Sequence, residues 1–284
     1  MHTTFSDGTD SPEELVARVR EAGIGLFSVT DHDSIRSASV IPGLLQEDDP
    51  VYISGAEFSC KDKEGKYHIL GYNYDPSAKA IREFVENSSR LRKEKARARI
   101  HFLEERFGFV FPENEVDALL SLENPGKPHI AALLVKLEYA IDNKDAIENY
   151  IDKGNFDEFF VTPAAAIDCI LKSGGIPVLA HPFFGSGSQK IKCKELDMRL
   201  RRLTCFGLKG IEAYYSKNTP ARQRKTLSLA EKYGLFVTAG SDYHGGNKKV
   251  RLGYTGNPGA PTLEEMPDGF RQFLEEIKKA GRTG

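Results

Sequence analysis

Five of the seven histidines in this 284-residue chain, His2, His32, His68, His181 and His244, fall in or just beyond segments that read as strands, in company with Asp7, Glu57 and Asp242. A lone histidine is more often a packed or hydrogen-bonded core residue than a ligand. Eight imidazoles and carboxylates gathered on one face are a different matter. They would repel and desolvate one another unless cations neutralised them, so the set predicts a multinuclear metal site. Imidazole and carboxylate donors without thiolate favour Mn²⁺, Fe²⁺ or Zn²⁺ over Ca²⁺. His2 and Asp7 pose a mechanical problem as well, because a chain terminus normally frays and cannot hold a ligand in place. Something else must hold this end down.

The elements that would position these residues can be read from pattern. In SPEELVARVREAG, Ser11 is an N-cap, Pro12 opens the helix, Glu13 and Glu14 sit in its first turn, and Gly23 ends it. IGLFSVTDHDS then runs apolar from Ile24 to Val29 and turns polar at Thr30, Asp31, His32 and Asp33, which reads as a buried strand with a functional end. The pattern recurs. Glu57 follows the strand Val51 to Ser54, His68 lies within YHILGYN, His181 follows Val178 to Ala180, and Asp242 and His244 follow Phe236 to Ala239. A further strand, Leu208 to Tyr214, and the helix ARQRKTLSLAEKYG complete the alternation. Strands with polar ends separated by helices predict a parallel α/β barrel with its site at the carboxyl ends of the strands. Residues 1–76 and 162–284 would form the barrel and 77–161 a helical insertion capping the site, with FRQFLEEIKKAG as a closing outer helix.

Composition excludes several classes. With 39 Lys and Arg against 41 Asp and Glu, the formal charge of −2 argues against binding duplex nucleic acid through bulk electrostatics. No stretch approaches the roughly 18 to 20 apolar residues needed to span a bilayer, and no signal peptide is visible. The expectation is a cytoplasmic protein without a membrane partner. Cys60, Cys169, Cys193 and Cys205 are scattered with no C-x-x-C pair, and read as reduced and incidental.

HTTFSDG, TDHDS, GAEFS, the histidine of YHILGY, AHP and GSDYH resemble, in order, the metal motifs of the PHP (polymerase and histidinol phosphatase) superfamily. The resemblance runs from the first residues to about Gly253. Within the superfamily it is strongest to stand-alone bacterial phosphoesterases with a helical insertion, the nucleoside 3′,5′-bisphosphate phosphatase and RNase AM group. It implies a distorted (βα)7 TIM-like barrel and two or three divalent ions, with Mn²⁺ placed first and Fe²⁺ or Zn²⁺ as alternatives. It also implies Glu57 as a bridging carboxylate, with His2, Asp7, His32, His68, His181, Asp242 and His244 completing the ligand set, and Glu57, His32 and Asp242 central to catalysis. Family members begin the first motif as His-x-His after a short strand, whereas here His2 is the second histidine and Met1 holds the x position. The expectation is that sequence upstream of Met1 supplies the first. A genuine start at Met1 would instead leave one metal position weak.

Phosphate ester hydrolysis asks a protein mainly for positioning and charge neutralisation. The expected activity is therefore that of a metal-dependent phosphoesterase acting on a small phosphorylated substrate, a nucleotide or short 5′-phosphorylated oligonucleotide. A histidinol-phosphate-type metabolite phosphatase and a non-catalytic PHP binding module are the alternatives. Asp33 could orient an imidazole or cap a helix. The Lys- and Arg-rich helix from Arg90 to Arg106 reads as a solvated face behind a buried stripe of Ile81, Phe84, Ile100 and Leu103. Lys127 and His129, in a Gly and Pro loop before IAALLVKLEYA, and Arg222, near the predicted mouth, are candidate substrate contacts.

Overall fold

The computed structural model describes residues 1–122, 125–185, 189–256 and 265–279. In chain order the elements are α1 (Pro12–Glu21), β1 (Leu26–Phe27), α2 (Arg36–Val40), β2 (Val51–Tyr52), β3 (Gly55–Asp62), β4 (Gly65–Tyr72), α3 (Lys79–Phe107), α4 (Glu113–Ser121), α5 (Lys127–Lys136), α6 (Asn143–Asp145), α7 (Pro163–Lys172), β5 (Ile176–Leu179), α8 (Cys193–Cys205), β6 (Gly210–Tyr215), α9 (Pro220–Tyr233), β7 (Phe236–Gly240) and α10 (Asp268–Lys279). They form two compact units, Met1–Val85 with Val161–Gly284, and Glu86–Phe160. None of the described helices is long and apolar enough to cross a membrane.

The first unit is mixed α/β. β1 and β2 pair in parallel, and a five-stranded sheet runs β3-β4-β5-β6-β7. The expected all-parallel arrangement does not hold, since β4 is antiparallel to both β3 and β5 and only β5, β6 and β7 are mutually parallel. The cause at β3–β4 is local: the register pairs Asp62 with Gly65, and a two-residue connection is too short for a parallel crossover. Gly65 takes a φ of 127°, which a side chain would disfavour. Glu57 accordingly lies within β3, not beyond a strand ending at Ser54, and the ladder of β1 is confined to Leu26 and Phe27.

No closed barrel forms among the described residues; backbone contacts join the sheet edges at the site end. Glu57 N–H donates to Asp31 O (3.1 Å) and Asp33 N–H to Glu57 O (2.9 Å), tying the segment after β1 to β3. Thr30 N–H donates to Met1 O (2.8 Å) and His2 N–H to Tyr243 O (2.9 Å), so the first residues bridge the ends of β1 and β7. Below them a cavity of about 500 Å³ reaches from Met1 and His2 past Leu26, Ile53 and Leu70 to Phe273. Val178, Ile211 and Ile69 are fully buried in the sheet, each contributing roughly 1.5 to 3 kcal/mol of hydrophobic stabilisation.

Asp31 supplies the anchor for the N-terminal segment. Its buried carboxylate accepts from Thr3 N–H (2.7 Å), Thr3 Oγ1 (2.8 Å), Ser6 Oγ (2.7 Å) and Ser37 Oγ. Gly8 closes the turn, where a Cβ would stand 2.3 Å from His2 O. Farther on, the capping box expected at Ser11 is present, with Ser11 N–H donating to Glu14 Oε2 (2.8 Å) and Glu14 N–H to Ser11 Oγ (3.2 Å).

The helical unit packs α3, α4 and α5 around Ile100, Leu103, Ile130 and Leu134, all buried. The division falls at Glu86 because the first turns of α3 belong to the sheet unit. Ile81 is fully buried and Phe84 meets Phe58 of β3 edge-on, ring centroids 5.0 Å apart.

Two outcomes are expected. Asp31→Ala should strand several buried donors and lower the unfolding free energy by about 3 kcal/mol or more, as measured by urea titration. Leu134→Ala should cost about 2 to 5 kcal/mol in the same assay, yet leave the metal content per folded chain at the wild-type value.

Candidate metal centre

Glu57 sits at the middle of the site. It is buried, and its Oε1 lies 2.6 Å from His68 Nδ1 and 3.0 Å from His181 Nε2, while Oε2 lies 3.1 Å from His2 Nε2 and 4.0 Å from His32 Nδ1. The donors come from separate places: β3 carries Glu57, β4 carries His68, the loops after β1 and β5 carry His32 and His181, and the anchored terminus carries His2. The five imidazoles run in an unbroken row. Ring centroids are 4.0 Å apart for His244 and His2, 4.6 Å for His2 and His32, 4.8 Å for His32 and His68, and 5.0 Å for His68 and His181.

Two more carboxylates flank the row. Asp242 Oδ1 lies 3.5 Å from His2 Nε2 and 3.6 Å from His244 Nδ1, while its Oδ2 accepts from Tyr215 OH (3.1 Å) and Lys248 Nζ (2.8 Å). Asp7 is the exposed member, and its Oδ1 lies 3.2 Å from His244 Nε2 and 3.6 Å from His2 Nδ1. All eight sequence-predicted ligands are thus brought together, and three groupings have donor atoms within 4.8 Å of one another: His2, Asp7, His32 and His244; His32, Glu57 and His68; and His2, Glu57 and Asp242.

Protonation alone does not satisfy this cluster. Burial disfavours a charged His2, yet hydrogen bonds to Asp242 and Glu57 lift its pKa to about 9. Burial, with His2 and His68 adding to it, holds His32 well below the ordinary imidazole value even though Glu57 pulls the other way. Against the opposing effect of burial, the surrounding imidazoles hold the Glu57 carboxyl well below its ordinary value. The result is a buried row in which the carboxylates meet a charged His2 and, beside it, a His32 held neutral. Two ligands of one ion, each about 2.1 Å from it, stand roughly 3.0 to 3.4 Å apart. Separations of 3.0 to 3.6 Å link Glu57 and Asp242 to His2, His181 and His244, near that spacing, with His68 closer at 2.6 Å and His32 farther at 4.0 Å, and the mix of imidazole and carboxylate donors fits divalent cations.

Asp33 is held in place by its own backbone and by a neighbour: its φ is 53° and its carboxylate accepts from Ser59 N–H (2.9 Å). It does not cap α2, whose N-cap is Ile35. Arg222 lies in the first turn of α9 with its guanidinium 5.0 Å from the Phe184 ring centre, and Phe184 in turn lies 5.4 Å from Tyr215. Lys127 and His129 belong to the helical unit. They stand inside the first turn of α5 and not in a loop before it, because Pro128 suits an opening turn. Lys127 pairs there with Asp152, and His129 Nδ1 accepts from Gly126 N–H (3.1 Å). Asp31, Glu212, Tyr215 and Lys248 were not among the sequence-predicted site residues. Glu212 had a signal, a lone carboxylate inside the apolar strand GIEAYY, and Asp31 stood in the polar end of the first strand; Tyr215 and Lys248 had none that distinguishes them from ordinary loop and strand residues.

No protein-family profile matches the chain. It is 29% identical over 263 residues to the 5′-3′ exoribonuclease Rnm of Salmonella typhimurium, covering 89% of this chain and 86% of that protein. To the 3′,5′-nucleoside bisphosphate phosphatase of Chromobacterium violaceum it is 25% identical, covering 98% of this chain and 95% of the relative. A solved candidate metal-dependent phosphoesterase from Bifidobacterium adolescentis superposes with a TM-score of 0.69 at 25% identity, covering 97% of this chain and 94% of that one. Similarity in sequence and in fold along nearly the whole chain bears out the resemblance carried by the motifs, and the chain is a homologue of phosphoesterases.

Proposed function

We propose that this protein is a divalent-metal-dependent phosphoesterase that hydrolyses small phosphorylated substrates, with nucleoside 3′,5′-bisphosphates and short 5′-phosphorylated oligonucleotides as the substrate class. The observation that carries the reading is the buried Glu57 carboxylate enclosed by His2, His32, His68 and His181. The relatives named for an exoribonuclease and for a bisphosphate phosphatase support nucleotides as the class. The two sheets, in this reading, are walls of a distorted seven-stranded barrel, and reduced cysteines fit a cytoplasmic address.

In this proposal Glu57, His2, His32, His68, His181, Asp242, His244 and Asp7 would hold the ions, with Mn²⁺ placed ahead of Fe²⁺ and Zn²⁺. Bound there, such ions would supply an activated water and neutralise phosphoryl charge. The chain's own residues do the rest. Tyr215 and Lys248 donate to Asp242 Oδ2 and so turn Oδ1 toward His2 and His244. Arg222, on its shelf of Phe183 and Phe184, offers a cation beside Tyr215 to an anionic substrate. Lys127 and His129, in the opening turn of α5, serve as the grip on a phosphate that is not being cleaved.

Phosphate release from a nucleoside 3′,5′-bisphosphate, with histidinol phosphate as the competing substrate, tests the function directly. Asp242→Ala should reduce kcat by more than about a hundredfold with little loss of thermal stability, and Asp33→Ala should cost less than about tenfold. Full activity of Asp242→Ala at wild-type metal occupancy would remove Asp242 from the centre. Replacing Lys127 and His129 together by Ala should raise KM for the bisphosphate about tenfold or more and change KM for a nucleoside monophosphate much less. Equal losses on both substrates would exclude the second-phosphate grip.

A further inference from the structure

The proposed ligand His181 stands on a backbone that a side chain disfavours. Its φ is 26°, in the positive region that non-glycine residues rarely adopt, and such conformations persist only where surrounding structure over-determines them. The fixing contact comes from Glu212, 31 residues later, whose Oε2 accepts from His181 N–H at 2.7 Å. Glu212 is 5% exposed and lies on β6 at a register shift against β7, and such irregularities re-aim side chains. Glu212 pairs with Thr238 on β7, and two residues on stands Gly240, where a Cβ would lie 2.0 Å from Glu212 Oε1. A larger residue at 240 would evict the carboxylate.

Burying this carboxylate near Glu57 and Asp242 is unfavourable. An apolar side chain at position 212 would suit the rest of the strand better. Its retention therefore calls for a role that an apolar residue cannot fill, and the contact with His181 N–H is that role. The His181 ring is in turn aimed at Glu57, with Nε2 3.0 Å from Oε1.

We infer that Glu212 is a positioning residue for the metal centre: by accepting from the His181 backbone it holds the strained turn after β5 and thereby fixes the imidazole against Glu57. It acts as a hydrogen-bond acceptor at one reach, not as a ligand and not through its charge. This role rests on the reading of the cluster as a metal centre.

Two isosteric changes separate acceptor, charge and reach. Glu212→Gln keeps the acceptor oxygen and loses the charge, whereas Glu212→Asp keeps the charge and falls one methylene short. Mn²⁺ affinity, read by competition with a chelating dye on the full chain, should stay within about threefold of wild type in Glu212→Gln. It should weaken by about tenfold or more in Glu212→Asp, the range seen when an outer-shell partner of a ligand is lost. With nucleoside 3′,5′-bisphosphate the same Asp variant should lose kcat with KM nearly unchanged. Equal weakening in both variants would assign the effect to charge and overturn the role. Wild-type Mn²⁺ affinity in both would overturn it too, while leaving the metal centre standing. A wild-type chain that binds no Mn²⁺ would overturn the centre and the role together.

Discussion

The rest of the structure is arranged around one buried carboxylate. Glu57 lies 2% exposed among four imidazoles, and an ionised carboxylate in such a place is tolerated only when opposite charge and directed donors compensate its lost hydration. Asp242 and Asp7 add further negative charge within the same row, and His32 is pushed toward its neutral form. Divalent cations resolve that conflict in a way that protons do not, since a protonated imidazole row would set like charges 4 to 5 Å apart along its length. The same neutralisation is what phosphoryl transfer requires, so the feature that makes the bare cluster unfavourable is the feature that suits it to catalysis.

Holding such a cluster needs a scaffold that resists relaxation. Three of the positive-φ residues other than glycine, Asp33, His181 and Asp242, fall at strand ends around the site, which is where backbone strain is expected to concentrate in a functional centre. Each is tied down by a specific contact: Asp33 to Ser59 N–H, His181 to Glu212, and Asp242 to Tyr215 and Lys248. The terminus is secured in the same manner. Asp31 gathers Thr3 and Ser6, and the Met1 and Tyr243 carbonyls pair with Thr30 and His2, so the end that ought to fray is stitched between two strand ends.

The ligand types were legible in the sequence because the chemistry is carried by residue identity and by position at the ends of apolar runs. His32, His181, Asp242 and His244 each follow such a run, and the structure draws them together. What pattern did not reveal was pairing. The hairpin turn between Asp62 and Gly65 is short enough to have signalled an antiparallel pair, but β4 and β5 are separated by the whole helical segment, and nothing local records their direction. Glu212 and Asp31 escaped for a related reason. Their roles lie in contacts to backbone or hydroxyl groups about 30 residues away, and a carboxylate's partner is not written beside it. The opening turn of α5 was misplaced by a few residues because Gly126 and Pro128 signal a loop as readily as a helix start.

Anomalous diffraction from crystals grown in Mn²⁺ is the direct test of whether the imidazoles and carboxylates around Glu57 hold divalent ions. Two or three manganese peaks are expected inside the row, within reach of Glu57, His2, His32, His68 and His181. Saturating Mn²⁺ with no peak inside the row, or peaks only at surface carboxylates, would contradict a metal centre there.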